Sequence, residues 1–306
     1  MPLIYSIIAP LIIISSVAVY QGEAFTAIET ARLLQNCMLI AGIGTLLQLY
    51  PIWKIGSGLP VVMVISFTFL AACLATASQD YGIMVGAIIV GGCFEGVLGL
   101  TAKYWRKIIS PIVSACVVVS IGLSILNVGV SSFGSSSAYP LGSWQNLLVA
   151  TITLAAALSG GVFGCSPITS FSQNVGLISM THVVNRFTIM FGALAMILGG
   201  LFPPFGAFFT TLPDCVLGGC TVIMFGSIMM SGVRMMHDAG MDQRNTLIAA
   251  TSICLGVGVT QADGFFNELP SFIGDIFAGN MVAGVFVVGL ILDLCLPRDH
   301  SHYTSM

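Results

Sequence analysis

The chain carries very little charge. Only 7% of its 306 residues are charged, while 57% are hydrophobic. In a soluble domain about a quarter of the residues usually carry charge. This composition excludes a soluble domain, and we expect no nucleic acid among the partners of the protein.

The chain also lacks the residue groupings that are typical of metal sites and enzymes. Its nine cysteines are scattered singly, without a C-x-x-C pair, and the closest two, Cys215 and Cys220, have no histidine near them. Isolated cysteines do not predict a metal or redox site, and they pack as small apolar residues. No nucleophile–base pair or phosphate-binding loop is recognisable. We therefore expect a protein that is not an enzyme and that binds no metal or cofactor.

Long apolar stretches are what the chain has in abundance. A helix needs about 20 predominantly apolar residues to cross a bilayer. The sequence therefore predicts an all-α polytopic membrane protein, embedded in the lipid bilayer, with spans near residues 2–20, 33–50, 59–77, 82–100, 108–127, 145–162, 187–202, 213–232, 246–262 and 278–296. The uncharged Gly/Ser-rich stretch 128–144 is predicted to be an external loop.

The placement of basic residues predicts the topology. They concentrate in loops 51–56, 101–107 and 233–245 and near the C-terminus, and such loops usually face the cytoplasm. We expect a multi-pass protein of the cytoplasmic membrane whose C-terminus is cytoplasmic. Residues 1–20 lack a basic start, so we expect no cleavable signal peptide.

Glycine is frequent inside the predicted spans. The span 82–100 alone contains five glycines, at positions 86, 91, 92, 96 and 99. Small residues allow helices to approach each other closely in lipid. These glycines are therefore predicted to line a helix–helix interface.

Residues 173–181 interrupt the apolar pattern. They follow a run, 165–172, that is too polar and too rich in β-branched residues for an ordinary membrane helix. Polar backbone at membrane depth is tolerated only where it is buried in protein or lines a cavity. Transporters place their substrates at broken spans of this kind. The stretch is therefore predicted to carry a substrate site.

Four residues of this stretch are candidates for substrate contact. The Gln173 side chain offers an acceptor and a donor on one planar amide, which suits the edge of a heterocycle. Asn174 can cap the helix that follows, Gly176 allows close approach, and Thr181 lies a little over two helical turns beyond Gln173. The structural alternative is that Gln173 and Asn174 only cap a broken helix.

An earlier stretch repeats part of this pattern. Residues 60–69 and 167–173 each begin with proline, run through β-branched residues and reach a Ser-Phe pair, which in the first stretch is Ser66-Phe67. Two interrupted segments at corresponding places in two halves indicate a transporter binding site.

The motif Gln173-Asn174-x-Gly176-x-x-x-x-Thr181 resembles the signature of the nucleobase/ascorbate transporter family, also called nucleobase:cation symporter-2. Residues 183–186 and 44–63 look most like its xanthine and uric-acid permease branch. Two further stretches, 217–221 and 256–261, resemble its late spans.

This resemblance implies a seven-plus-seven inverted-repeat fold, in which the third and tenth spans are each a short strand and a half-helix. It implies a homodimeric purine permease that moves xanthine or uric acid together with protons. Gln173 would bind the polar edge of the purine, Asn174 would support affinity and coupling, and Thr181 would tune specificity. Ser66 and Phe67 would line the other side of the site.

The chain departs from the family in its length. Its single permease domain, 1–306, is interpreted as spans one to six in 1–157 and spans ten to fourteen in 158–306. The seventh and eighth spans and most of the ninth are therefore expected to be missing. The eighth span normally supplies an acidic residue for substrate binding and proton coupling.

Other carboxylates could replace the missing acid. Glu95 lies in the middle of a predicted span, where an ionisable group is a functional candidate by default. The family often has an acid there, which leaves a shared structural role open. Asp214 and Asp293 are predicted to be interfacial. Two alternatives to a working permease also stay open: a remnant that cannot transport, and a partner subunit of a full-length permease.

Overall fold

A computed structural model describes the helical parts of the chain: residues 26–52, 56, 58, 62–63, 81–105, 108–134, 139–162, 186–262, 265, 274, 276–277 and 280–297. Within these residues there are ten helices: α1 (Ala27–Leu49), α2 (Tyr81–Trp105), α3 (Pro111–Ser124), α4 (Leu126–Gly134), α5 (Trp144–Val162), α6 (Arg186–Leu201), α7 (Pro203–Phe209), α8 (Asp214–Asp238), α9 (Gln243–Gln261) and α10 (Met281–Cys295).

The predicted fold class is confirmed: the protein is an all-α polytopic membrane protein. Eight predicted spans coincide with helices, while 2–20 and all of 59–77 except residues 62–63 lie outside the described residues. Within the described part of the chain, four helical segments are long and apolar enough to cross a membrane by length and composition: Ile28–Leu49, Gly82–Thr101, Pro111–Gly134 and Cys215–Asp238. Shorter apolar helices cover Trp144–Ala155, Ile189–Leu201 and Met281–Cys295.

The prediction that residues 128–144 form a loop is wrong for the first part of this stretch, because α4 extends to Gly134. Glycine and serine are weak helix formers, but packing outweighs propensity here. Gly129 lies so close to α8 that a Cβ on it would stand 2.9 Å from Cδ2 of Phe225. The helix is therefore held by its neighbour rather than by its own composition.

Local sequence explains where α1 begins and ends. The Thr26 backbone N–H donates to the Glu29 carboxylate over 2.9 Å, and the Glu29 N–H donates to the Thr26 hydroxyl over 3.3 Å. This reciprocal pair is a capping box. The helix ends before Pro51, because proline disfavours the helical conformation in the residue that precedes it.

The chain packs as two compact units. The first unit contains Met1–Met84 and Ile125–Ile228, and the second contains Val85–Ser124 and Met229–Met306. The predicted boundary at residue 157 divides the chain into the spans of two repeats rather than into two compact units. It stays a prediction.

Close backbone contact between α1 and α6 organises the first unit. A Cβ on Gly42 would stand 2.9 Å from the Ala193 carbonyl oxygen, and one on Gly200 would stand 2.9 Å from the Gln35 carbonyl oxygen. Only glycine fits at such distances, as is typical of helix pairs in membranes. Ala41, Ala193 and Met196 form a buried cluster at this contact.

An aliphatic core organises the second unit, where α3, α9 and α10 meet. Val113 of α3, Ile248 of α9 and Val285 of α10 belong to one buried cluster. Gly256 of α9 packs directly against Val285. The α9–α10 contact is therefore as close as the α1–α6 contact.

The prediction of an interface along the glycines of α2 is not supported. A Cβ added to Gly86, Gly91, Gly92, Gly96 or Gly99 would meet no atom of the described residues within 4 Å. A close approach requires a neighbouring helix, and the residues from Val85 to Thr101 are exposed. Glycine content alone did not predict packing.

Candidate substrate site

The six predicted substrate residues, Ser66, Phe67, Gln173, Asn174, Gly176 and Thr181, lie outside the described residues. The structure does describe the chain on their flanks, all within the first unit. Residues 62–63 precede the Ser66-Phe67 pair, and α5 and α6 bracket the Gln173 motif. The geometry of these flanks is what the structure contributes to the site.

The chain reverses direction at the end of α1. The Gly58 N–H donates to the Gln48 carbonyl oxygen over 2.9 Å. Gly56 and Gly58 have φ angles of 96° and 69°, which glycine adopts at little cost. A Cβ on Gly56 would also collide with the Leu47 carbonyl. The two glycines therefore let the chain fold back along α1.

After this reversal the chain is bonded to the side of α1. The Met63 N–H donates to the Thr45 hydroxyl oxygen over 2.9 Å, and Thr45 is fully buried. The neighbouring Val62 packs against the cluster that contains Ala41 and Met196. The backbone three residues before Ser66 is thus held by both α1 and α6.

The flank of the other segment lies at the same end of this helix pair. Arg186 is the first residue of α6, and its Nη2 atom would stand 4.0 Å from a Cβ on Gly58. One turn further along α6, the Met190 sulfur accepts a hydrogen bond from the hydroxyl of Tyr50, which lies at the end of α1; the distance is 3.4 Å. Gly58, in the turn after α1, and Arg186, the residue that begins α6, therefore lie close to each other.

The coupling candidate Glu95 lies on α2, in the second unit. Its side chain is exposed in the middle of an apolar helix that is long enough to span a membrane. In the parts of the chain that the structure describes, no three His, Cys, Asp or Glu side chains are placed to hold a metal ion.

The structure reveals a buried ion pair that the sequence did not predict. Asp293 lies near the end of α10, as expected, but its side chain is fully buried rather than interfacial. Its Oδ1 atom stands 2.9 Å from Nη2 of Arg244, at the start of α9. The Arg244 side chain also donates to the carbonyl oxygens of Asp293 over 2.7 Å and Leu296 over 3.2 Å.

Arg244 therefore stabilises the C-terminal end of α10 in two ways. It neutralises a buried carboxylate, and its guanidinium donates to carbonyl oxygens that have no partner within the helix. A cation at a helix C-terminus also interacts favourably with the helix dipole. The available signal in the sequence was an arginine at the start of one span and an aspartate near the end of the next.

The chain matches the sequence model of a protein family that is described as a permease family (Xan_ur_permease). The match covers residues 4–160 and 157–265. The match covers most of the chain and comes in two pieces that meet at 157–160.

Two curated relatives match the chain over nearly its full length, and a third matches less than half of it. Xanthine permease XanQ of Escherichia coli K12 is 26% identical over 399 residues, covering 90% of this chain and 85% of XanQ. Xanthine permease XanP of the same strain is 24% identical over 413 residues, covering 94% of this chain and 89% of XanP. The xanthine permease of Bacillus subtilis is 40% identical over 132 residues, covering 43% of this chain and 30% of that protein.

The alignments to XanQ and XanP are longer than the chain itself. The alignment to XanQ spans 399 positions, whereas this chain has 306 residues. The relatives therefore contain residues that have no counterpart here, and the chain is shorter than its homologues.

Proposed function

We propose, from the premise that this chain belongs to the nucleobase/ascorbate transporter family of permeases, that it carries a purine nucleobase, xanthine or uric acid, across the cytoplasmic membrane together with protons. The observation that carries the proposal is the motif Gln173-Asn174-x-Gly176-x-x-x-x-Thr181 in a chain that matches xanthine permeases over most of its length. We accordingly propose a transporter rather than an enzyme.

In this proposal two segments form the substrate site. Gln173 hydrogen-bonds the polar edge of the purine through its planar amide, while Asn174 and Gly176 shape the start of the half-helix and Thr181 tunes specificity. Ser66 and Phe67 close the site from the other segment. The arrangement is supported by the flanks of the two segments: Met63 is bonded to α1, and Arg186, which follows the Gln173 segment, begins α6.

Glu95 is the proposed proton-coupling group. A carboxylate in the middle of a spanning helix is costly to keep in lipid and usually has a function. Asp293 is the weaker choice, because its carboxylate is paired with Arg244. Protonation of Asp293 would leave the Arg244 charge without its carboxylate partner.

The proposed topology follows the basic loops. The C-terminus faces the cytoplasm, as the positive-inside rule predicts, and the functional unit is a homodimer. The proposed division at residue 157 into spans one to six and ten to fourteen is supported by the two pieces of the family match, which meet at 157–160.

A different function is favoured by one observation, the length of the chain. The residues that the relatives have and this chain lacks include, on the proposed division, the span that carries the coupling acid. A chain without it could be a transport-incompetent remnant or a partner subunit of a full-length permease. Neither alternative would give saturable uptake when the chain is expressed alone.

Uptake of radiolabelled xanthine tests the proposal. The chain, its Gln173→Ala variant and a Gln243→Ala control are expressed with an epitope tag in cells that lack purine permeases. Gln243 suits as a matched control because it is an exposed glutamine at the start of α9. We expect the parent chain to show saturable uptake that a protonophore abolishes. Gln173→Ala should reduce uptake at least about tenfold, which corresponds to the loss of one or more hydrogen bonds between neutral groups. Gln243→Ala should leave uptake unchanged.

Two results would overturn the proposal. The first is absence of uptake by the parent chain at normal membrane abundance, which would favour the remnant or the partner subunit. The second is equal uptake by Gln173→Ala and the parent chain, which would place the substrate elsewhere.

A further inference from the structure

We propose that Thr45 is a positioning residue for the substrate site, because its hydroxyl holds the backbone of Met63 at the entrance to the Ser66-Phe67 segment. The inference rests on the proposed function and adds to it a residue on α1 that does not touch the substrate.

Thr45 differs from two other buried hydroxyls of the described helices, Thr221 and Ser120, in what it bonds. Thr221 donates to the Gly218 carbonyl oxygen, and Ser120 donates to the Val117 carbonyl oxygen, each within its own helix. Thr45 also donates within its helix, to the Ala41 carbonyl oxygen over 2.7 Å. In addition it bonds a residue 18 positions further along the chain.

The chemistry of the hydroxyl explains how it can do both. A threonine hydroxyl has one proton to donate and two lone pairs that accept. The proton is directed to the Ala41 carbonyl, which leaves the oxygen to accept the Met63 N–H over 2.9 Å. The Met63 carbonyl oxygen also lies 3.3 Å from the same hydroxyl. Both backbone polar groups of Met63 therefore face one fixed point on α1.

Packing holds the same place from two further sides. Met63 lies against α1 at Gly44, where a Cβ would stand 3.4 Å from the Met63 Cβ, an ordinary van der Waals contact. Val62 packs on the buried cluster that includes Ala193. The chain at 62–63 is thus confined by α1 and by α6, which follows the Gln173 segment.

The distance to the proposed site is short. An extended chain advances about 3.3 Å per residue, so Ser66 follows Met63 by at most about 10 Å. A shift of Met63 would displace the Ser66-Phe67 segment relative to Gln173, and displacement of about 1 Å is enough to weaken recognition. Loss of the Thr45 hydroxyl should therefore raise the KM for xanthine more than it lowers the maximal rate.

The test compares three variants of the full chain. Thr45→Val keeps the shape but removes the hydroxyl, Thr45→Ser keeps the hydroxyl, and Thr221→Val removes a buried hydroxyl that bonds only its own helix. Two quantities are measured: xanthine uptake kinetics, and hydrogen–deuterium exchange of the peptide containing Met63 in the purified protein without substrate.

We expect Thr45→Val to speed exchange at the Met63 peptide, with α1 and α6 still protected, and to raise KM by about fivefold at similar maximal rate, the consequence of one lost hydrogen bond. Thr45→Ser, which keeps the hydroxyl, should show the same exchange rate and the same KM as the parent chain. Thr221→Val should leave both unchanged.

The positioning role is overturned if the Met63 peptide exchanges at the same rate in Thr45→Val and the parent chain. It is also overturned if exchange rises equally throughout the first unit, or if Thr221→Val changes KM as much as Thr45→Val does. Absence of xanthine uptake by the parent chain would instead contradict the proposed function. The exchange measurement separates the two failures, because it needs no substrate.

Discussion

The two most extensive contacts among the described helices, α1–α6 and α9–α10, are stabilised differently. The α1–α6 pair uses neutral groups, because Gly42 of α1 and Gly200 of α6 each lie directly against the backbone of the other helix. The α9–α10 pair adds a buried charge pair between Arg244 and Asp293. A neutral contact can be loosened without leaving a buried charge unpaired, whereas the charged one cannot. We therefore expect damage to α9–α10 to reduce stability, and subtle damage to α1–α6 to change substrate recognition.

The largest effect is expected from Arg244→Ala. Removal of one partner from a buried ion pair leaves an uncompensated charge, which costs about 3–5 kcal/mol. Asp293 is fully buried, so the variant should show a strongly reduced thermal unfolding temperature and low abundance in the membrane. Thermal unfolding of the detergent-solubilised protein, followed by fluorescence, measures the effect.

The double variant Arg244→Met with Asp293→Leu is the control for this prediction. Replacing both charges by apolar groups of similar size is often neutral, so we expect it to recover most of the lost stability. A double variant as unstable as Arg244→Ala would show that the ion pair itself, rather than the stranded carboxylate, is what the α9–α10 contact requires.

A smaller effect is expected when a glycine of the α1–α6 contact is enlarged. In Gly200→Ala the new Cβ would stand 2.9 Å from the Gln35 carbonyl oxygen and from the Leu39 backbone nitrogen. Backbone cannot move aside as a side chain does, and overpacking of this kind costs about 1–3 kcal/mol. The unfolding temperature should fall measurably, by less than in Arg244→Ala.

Gly96→Ala provides the matched control on α2. Its Cβ would meet nothing within 4 Å, and alanine is the better helix former by up to about 1 kcal/mol. We expect unchanged or slightly raised stability. Equal destabilisation by Gly96→Ala and Gly200→Ala would mean that the glycines of α2 also serve a contact.

The smallest effect on stability is expected from Glu95→Gln. The side chain is exposed on α2, so removing its charge should leave the unfolding temperature unchanged. If Glu95 couples transport to protons, the variant should still bind xanthine but should lose uptake that depends on a proton gradient. Protonophore-sensitive uptake equal to that of the parent chain would exclude Glu95 from coupling.

Helix positions could be predicted because apolar run length decides them. The spans near 213–232 and 278–296 correspond to α8 and α10, which begin at Asp214 and Met281. The helix α4 was missed because tertiary contact with Phe225, not composition, stabilises its Gly/Ser-rich sequence. Local pattern is informative only where local preference and packing agree.

Pairing between distant residues could not be predicted. Thr45 and Met63 are 18 positions apart, and Arg244 and Asp293 are 49 apart. One sequence does not reveal which polar groups meet across such distances. The Gln173 motif, in contrast, was recognisable from residue types and spacing alone. Its geometry lies outside the described residues, and the roles of its side chains stay predictions.

The most direct test of the account is xanthine uptake by proteoliposomes that contain only the purified, tagged chain. An inward proton gradient is imposed, and empty vesicles and Gln173→Ala vesicles serve as controls. The account predicts accumulation of xanthine that disappears with the gradient and with Gln173→Ala. Folded chain in the vesicles without any accumulation would contradict it, and would mean that this shortened permease does not transport by itself.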